Sequence, residues 1–185
     1  SPLAVRLGAF GGGGTNLVNG RTPGGLFVGR VELRPLGPID DDREGDLDRK
    51  SNPRLAIGAA AALNLNTNRV RGTTGATYKS PTASPYAGGT VDYAHFATDL
   101  VFKWAGFALQ AEYLLRDAAR NSVRSKDADG NDVLEYSRSG YGWIVQGSYV
   151  FPEPIEVVAR ASRMYAKSGT DPKLVQLVET KGQEL

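Results

Sequence analysis

Apolar side chains recur at every second position through seven stretches of this chain: residues 3–10, 26–34, 54–65, 91–104, 107–116, 140–151 and 155–166. Successive side chains of an extended strand leave it on opposite sides, so a period of two marks a strand with two unlike faces. In the third stretch Leu55, Ile57, Ala59, Ala61, Leu63 and Leu65 share one face, while Arg54, Ala56, Gly58, Ala60, Ala62 and Asn64 share the other. In the fifth, Phe107, Leu109, Ala111, Tyr113 and Leu115 oppose Ala108, Gln110, Glu112, Leu114 and Arg116. At 8–14 residues these stretches exceed the ~5–6 residues usual for strands of soluble sheets.

A membrane helix needs ~20 apolar residues in a row. The longest run here, Ile57 to Leu63, is far shorter and contains Gly58. A barrel strand needs only ~9–11 residues, apolar at alternate positions. The connections alternate in length. Residues 104–106 and 152–154 make tight turns, whereas 11–25, 66–90 and 117–139 are long and polar. Short turns at one end and long loops at the other are the pattern of outer-membrane barrels. The connection 35–53 departs from it, being long on the short-turn side. Trp104, Phe107 and Phe151 stand beside short turns and, with Trp143, form a candidate aromatic girdle of the kind that favours a lipid–water boundary.

The expected fold is therefore all-β, an antiparallel up-and-down transmembrane β-barrel. Residues 1–166 would hold the strands, and residues 167–185 a loop or short helix leading to a missing strand. Bacterial barrels close with an even number of strands from eight upward, so seven predict a piece of a larger barrel. Ser1 with no charged-then-apolar leader behind it reads as a chain whose signal was removed, or as an internal piece. The rival is a soluble sandwich with the apolar faces turned inward. Against it, the second face is crowded with Ala, Gly, Arg, Glu and Gln, as an aqueous lumen would be.

A formal charge of +2 gives no basic balance that would point to nucleic acid, and the absence of cysteine removes disulfides and thiolate metal sites. The run Gly11 to Gly14 with Thr15 and Asn16 lacks the lysine of a phosphate loop and reads as a turn. Asp127 to Asp132 resembles a calcium loop, but Arg138 stands where the bidentate acid belongs, so a simple turn is expected. The acid run Asp40, Asp41, Asp42, Glu44, Asp46 and Asp48 reads as a solvated linker. His95, the single histidine, has no serine on its own face. No nucleophile or acid–base set survives, so no enzyme, cofactor or metal is expected. The chemistry-bearing set is instead the charge of the non-lipid face: Arg6, Arg30, Arg34, Arg54, Lys103, Arg116 and Arg160, with Glu32, Asp99, Glu112 and Glu156 as acidic partners. Rings of bases favour anions in pores, and the arginine fork suits phosphate oxygens. The plainer alternative is that these charges pair across strands.

Several stretches resemble the phosphate-selective porins O and P: Arg30-Val31-Glu32-Leu33-Arg34-Pro35 with Gly37-Pro38, Asn52-Pro53-Arg54-Leu55-Ala56-Ile57-Gly58, Gly106-Phe107-Ala108-Leu109-Gln110-Ala111-Glu112-Tyr113, Gly142-Trp143-Ile144-Val145-Gln146-Gly147-Ser148-Tyr149 and Ile155-Glu156-Val157-Val158-Ala159-Arg160. The resemblance implies a larger trimeric barrel in the bacterial outer membrane that passes small anions, phosphate among them, through a basic lumen. The long connections hold only scattered bases (Arg69, Arg71, Lys79, Arg120, Arg124 and Lys126) and not that family's lysine cluster. General anion passage is accordingly expected over strict phosphate selectivity. The alternative functions are a non-channel structural or surface-display barrel whose long loops bind a partner, and a soluble β-sandwich that binds a ligand.

Overall fold

Seven strands pair into one antiparallel meander in the order β1-β2-β3-β5-β6-β9-β10, each hydrogen-bonded to the next along the chain within that sheet. They are β1 (Leu3–Gly11), β2 (Gly25–Leu33), β3 (Arg54–Thr67), β5 (Val91–Trp104), β6 (Phe107–Ala118), β9 (Gly140–Val150) and β10 (Glu156–Ala166). This computed structural model describes residues 2–11, 24–39, 43–67, 77–78, 91–126, 129–153, 155–170 and 172–181. The sheet is not closed on itself, and β1 and β10 are its two edges.

All seven strands read from the alternation are present, their ends displaced by no more than two residues. One thing differs from expectation. The connection 117–139 is not a plain loop: β7 (Ser122–Lys126) and β8 (Asp132–Ser137) form a hairpin within it, joined by β4 (Thr77–Tyr78) in a second, three-stranded sheet. The tail, read as a loop or short helix, forms α1 (Pro172–Lys181) against β10.

The tight turn between β5 and β6 has positive φ at both central residues, 51° at Ala105 and 97° at Gly106. Two such residues give a type I′ turn, whose twist matches that of the flanking strands. Glycine carries the second position without the strain a side chain would add. At the opposite end, β3 takes a register shift between Asn64 and Thr67, with Asn66 at φ 51° and its amide donating to Asp92 Oδ1 at 2.7 Å.

The sheet has an inverted polarity. Among the described residues nine polar or charged ones are buried against five apolar ones, the reverse of a soluble core. The buried polar set includes Arg54, Lys103, Asn64, Gln146 and Ser148, all on one face by register. The opposite face is apolar and exposed from β1 to β10, with Leu7 at 85%, Leu63 at 53% and Val157 at 59%. Aromatic residues on it gather in two bands. Trp104, Phe107, Tyr149 and Phe151 lie at the short-turn end. Phe96, Tyr113, Tyr141, Trp143 and Tyr165 lie toward the long-connection end. Phe151 and Tyr141, ten residues apart, lie about 33 Å apart along the strand at ~3.3 Å per residue. Were the strands tilted by ~40°, as barrel strands are, the two bands would stand about 25 Å apart. Aliphatic residues such as Leu109, Ala111, Val145 and Ala161 fill the interval.

Candidate functional site

The register brings all eleven charged residues named above onto or beside the polar face. It also sets like charges opposite one another: Arg6 faces Arg30, Arg54 faces Lys103, and Asp99 faces Glu112. Like charges directly across a strand pair are destabilising. A third element relieves each conflict.

Arg30 on β2 reaches across β3 to Asp99 on β5, its two terminal nitrogens donating to Oδ1 at 2.5 Å and Oδ2 at 2.9 Å. Such a bidentate fork is the strongest geometry for an arginine–carboxylate pair. The pair passes over Gly58, where a Cβ would lie 2.5 Å from the guanidinium and 2.6 Å from the carboxylate. A glycine in the central strand is thus what lets partners two strands apart meet. Glu32 collects Arg30 at 3.3 Å, Arg34 at 2.5 Å and Arg6 at 3.6 Å. A concavity of about 330 Å³ opens beside this cluster, lined by Arg30, Asp99, Gln110 and Glu112 among others.

The second group is at the short-turn end, where the connection 35–53 folds back over the polar face. Asp46, 1% exposed, accepts from the Arg54 guanidinium through Oδ1 and from the Gly106 amide through Oδ2 at 2.9 Å. The Ala105 amide donates to Lys50 O at 2.9 Å, so both residues of the tight turn hold this segment. Lys103 Nζ donates to Arg43 O at 2.5 Å, Trp104 Nε1 to Ser51 O at 2.9 Å, and Arg49 to Val150 O. Further across, Glu44 Oε2 accepts from Gln146 Nε2 at 2.8 Å and from Arg160 at 3.1 Å, while Gln110 donates to Glu44 O at 3.1 Å. The hydrogen bond from Gln146, then the charge of Arg160, holds the Glu44 carboxyl below its ordinary value. Gly45 packs against the Glu156 carboxylate, where a side chain would collide. Residues 43–51 thus touch β3, β5, β6, β9 and β10.

Five of the seven predicted bases therefore pair with carboxylates: Arg6, Arg30, Arg34, Arg54 and Arg160. Lys103 is held by a carbonyl, and Arg116 lies over the ring of buried Tyr93 at 4.4 Å, not against Glu112. Glu112 and Glu156 have no ion pair among the described residues. Of the girdle residues, Trp104, Phe107 and Phe151 stand at the short-turn end, and Trp143 belongs to the other band.

The acid run is where sequence reasoning failed most. Asp46 is not part of a solvated linker but the buried counter-charge of Arg54, whereas Glu44 stays exposed while it pairs with Arg160. Asp40, Asp41 and Asp42 lie outside the described residues, as do Thr15, Asn16, Asp127 and Ala128 of the other two motifs. The connection between Lys126 and Asp132 includes Gly130 at φ 83° and joins a hairpin, as a turn does. Among the described residues no group of three His, Cys, Asp or Glu is placed to hold a metal ion. His95 is on the polar face opposite Arg116, 6.2 Å from the Tyr93 ring. Comparison with protein-family models, with curated proteins and with solved structures finds no match to this chain.

Proposed function

We propose that this sheet is part of a transmembrane β-barrel of the bacterial outer membrane, whose polar face lines an aqueous lumen that passes small anions by diffusion. The observation that carries the reading is the inverted polarity: arginine, lysine and glutamine buried on one face, leucine, valine and aromatic rings exposed on the other. Exposing an unbroken apolar sheet to water is unfavourable in proportion to its area, whereas a bilayer accepts it, and the two aromatic bands are spaced for one. The open edges at β1 and β10 would then be paired with further strands of the same barrel, since an unsatisfied edge does not persist in hydrocarbon. The transport needs no bond-making step, cofactor or metal.

The resemblance to phosphate-selective porins agrees with this assignment, trimeric assembly included. The pairing of Arg30 with Asp99, which occupies the arginine fork, favours general anion passage over a dedicated phosphate site. The test is the reversal potential of the full-length protein in planar bilayers under a salt gradient. Replacing Arg6, Arg34 and Arg160, whose side chains are exposed or part-exposed on the polar face, by glutamine is expected to move it toward cations; an unchanged potential would remove these side chains from the conduction path.

A second reading is supported by the segment 43–51, which crosses the polar face at one end. It makes the barrel a structural or display scaffold closed at that end. Absence of any unitary conductance from inserted protein would select it.

A further inference from the structure

Among the residues of the seven strands that point to the exposed apolar face, one is a base: Arg163, opposite Trp143 on β9. The acids on that face, Asp92 and Asp117, are at the strand ends, where Asp117 pairs with Lys167 at 2.7 Å and Asp92 accepts from the Asn66 amide. Arg163 is lower, within the aromatic band of the long-connection end. Its guanidinium lies 5.1 Å from the Tyr165 ring, which stacks on Tyr141 at 4.8 Å. It has no hydrogen bond or ion pair among the described residues. A cation on a lipid-facing surface is tolerated near the interface, where it meets headgroups, and is costly deeper.

The surroundings also form a cleft. Between β10 and α1 there is a cavity of about 210 Å³, lined by Arg163, Met164, Tyr165, Val175, Val178 and Glu179. Val175 and Val178, three apart on the helix, share a face and give it an apolar wall. Glu179 is the other charged group there, and it makes no ion pair with Arg163.

We infer that Arg163 and the Tyr141–Tyr165 stack bind the phosphate of a membrane lipid in the leaflet at the long-connection end, with acyl chain along Val175 and Val178. The guanidinium would donate to phosphate oxygens, the tyrosine rings would sit at headgroup depth, and the cost of a cation on the lipid face would be offset by its anion. This rests on the membrane reading above.

The test is native mass spectrometry of the full-length protein in detergent, offered a phosphorylated glycolipid (lipid A) or its dephosphorylated form. Wild type is expected to retain the phosphorylated lipid preferentially. Arg163→Gln should reduce that retention about tenfold or more, the loss of charge-assisted hydrogen bonds, with Arg163→Lys intermediate. Arg124→Gln, of equal charge change on β7, should leave it unaltered. Equal retention by wild type and Arg163→Gln would overturn the assignment. Displacement by excess inorganic phosphate would assign the site to free phosphate and overturn the lipid. If Glu179→Gln abolishes retention as completely as Arg163→Gln, the helix and not the phosphate is what Arg163 serves, and the proposal fails. A wild-type protein that is monodisperse in water without detergent would sink the membrane reading itself, a result separable from all of these.

Discussion

Replacing Asp46 by asparagine should loosen the segment that crosses the polar face while leaving the sheet intact. The carboxylate is fully buried and the Arg54 side chain is 5% exposed, so the pair is one of the few here that water does not screen. Removing one member of a buried pair costs about 3–5 kcal/mol, because the other is left uncompensated. Asparagine keeps an acceptor for one of the two donors, the Arg54 guanidinium and the Gly106 amide, which places the cost near the lower end, about 3 kcal/mol. At ~1.4 kcal/mol per factor of ten, opening of the segment becomes ~100-fold more frequent.

Two amides report that opening directly. Gly106 N–H donates to Asp46 and Ala105 N–H donates to Lys50 O, both contacts made only with the segment in place. Their hydrogen-exchange protection should fall by the same factor of ~100, since protection tracks the free energy of local opening. Amides in the β9–β10 ladder, such as Ala159 opposite Gly147, should keep theirs. The double change Asp46→Asn with Arg54→Met should restore most of the protection, since it removes the uncompensated buried charge and keeps an acceptor for the Gly106 amide. A fall at Gly106 of less than about threefold, under ~0.7 kcal/mol, would mean that Asp46 is not what holds the segment. An equal fall throughout β9 and β10 would mean that the effect is global and not a local release.

Three other outcomes follow from the same geometry. Glu44 has its carboxyl held below the ordinary value of 4.5 by Gln146 and then Arg160. A lowered folded-state value means the tie is complete above the ordinary value and is lost as pH falls through the lowered one. The fluorescence of Trp104, bonded to Ser51 O and isolated by Trp143→Phe, should change in that acid range. The change should vanish in Glu44→Gln, and a step that persists would exclude Glu44 as its origin. Gly58→Val places a branched side chain where Arg30 meets Asp99 and should cost about 1–3 kcal/mol in denaturant unfolding. The same change at Gly147, where a Cβ would have its nearest neighbour at 4.0 Å, should cost clearly less; equal costs would refute the crossing pair. Ala111→Arg puts a base midway between the aromatic bands and should cost about 2–4 kcal/mol of folding into lipid vesicles, whereas an exposed site on a water-facing sheet would tolerate it.

The strands were legible because the alternation survives in every one of them, and a one-residue error would have turned every side chain to the wrong face. The faces themselves were also legible: Arg54, Lys103 and Arg160 share one, and Ile57, Leu109 and Val145 the other. The hairpin of β7 and β8 was not, because Ser122 to Lys126 and Asp132 to Ser137 are short and polar, and their pairing depends on the turn between them. Asp46 was hidden for a different reason. An acid among acids reads as solvated, and nothing near it in sequence marks the Gly106 amide, sixty residues away, as its partner. Arg163 sat in a gap of the alternation, and its place on the apolar face emerged only from its register with Trp143.

The long connection at the short-turn end has a physical reason in the register. A polar strand face carries its charges at alternate positions, and adjacent strands then bring bases opposite one another, as with Arg54 and Lys103. Neither strand can relieve this locally, because the neighbouring position on each points to the apolar side. An opposite charge has to come from elsewhere on the same face. Near the middle of the sheet Asp99 supplies it across β3, through the space that Gly58 leaves, and Glu32 supplies it from the same face of β2. At the end no further strand position remains, and the chain supplies Asp46 and the carbonyl of Arg43 by folding a segment inward. A two-residue turn between β2 and β3 would make the same ladder but would not bring the Asp46 carboxylate to Arg54. The segment 43–51 thus supplies counter-charge and acceptors to the polar face, and its cover over that end of the sheet is inseparable from the pairing that holds it there.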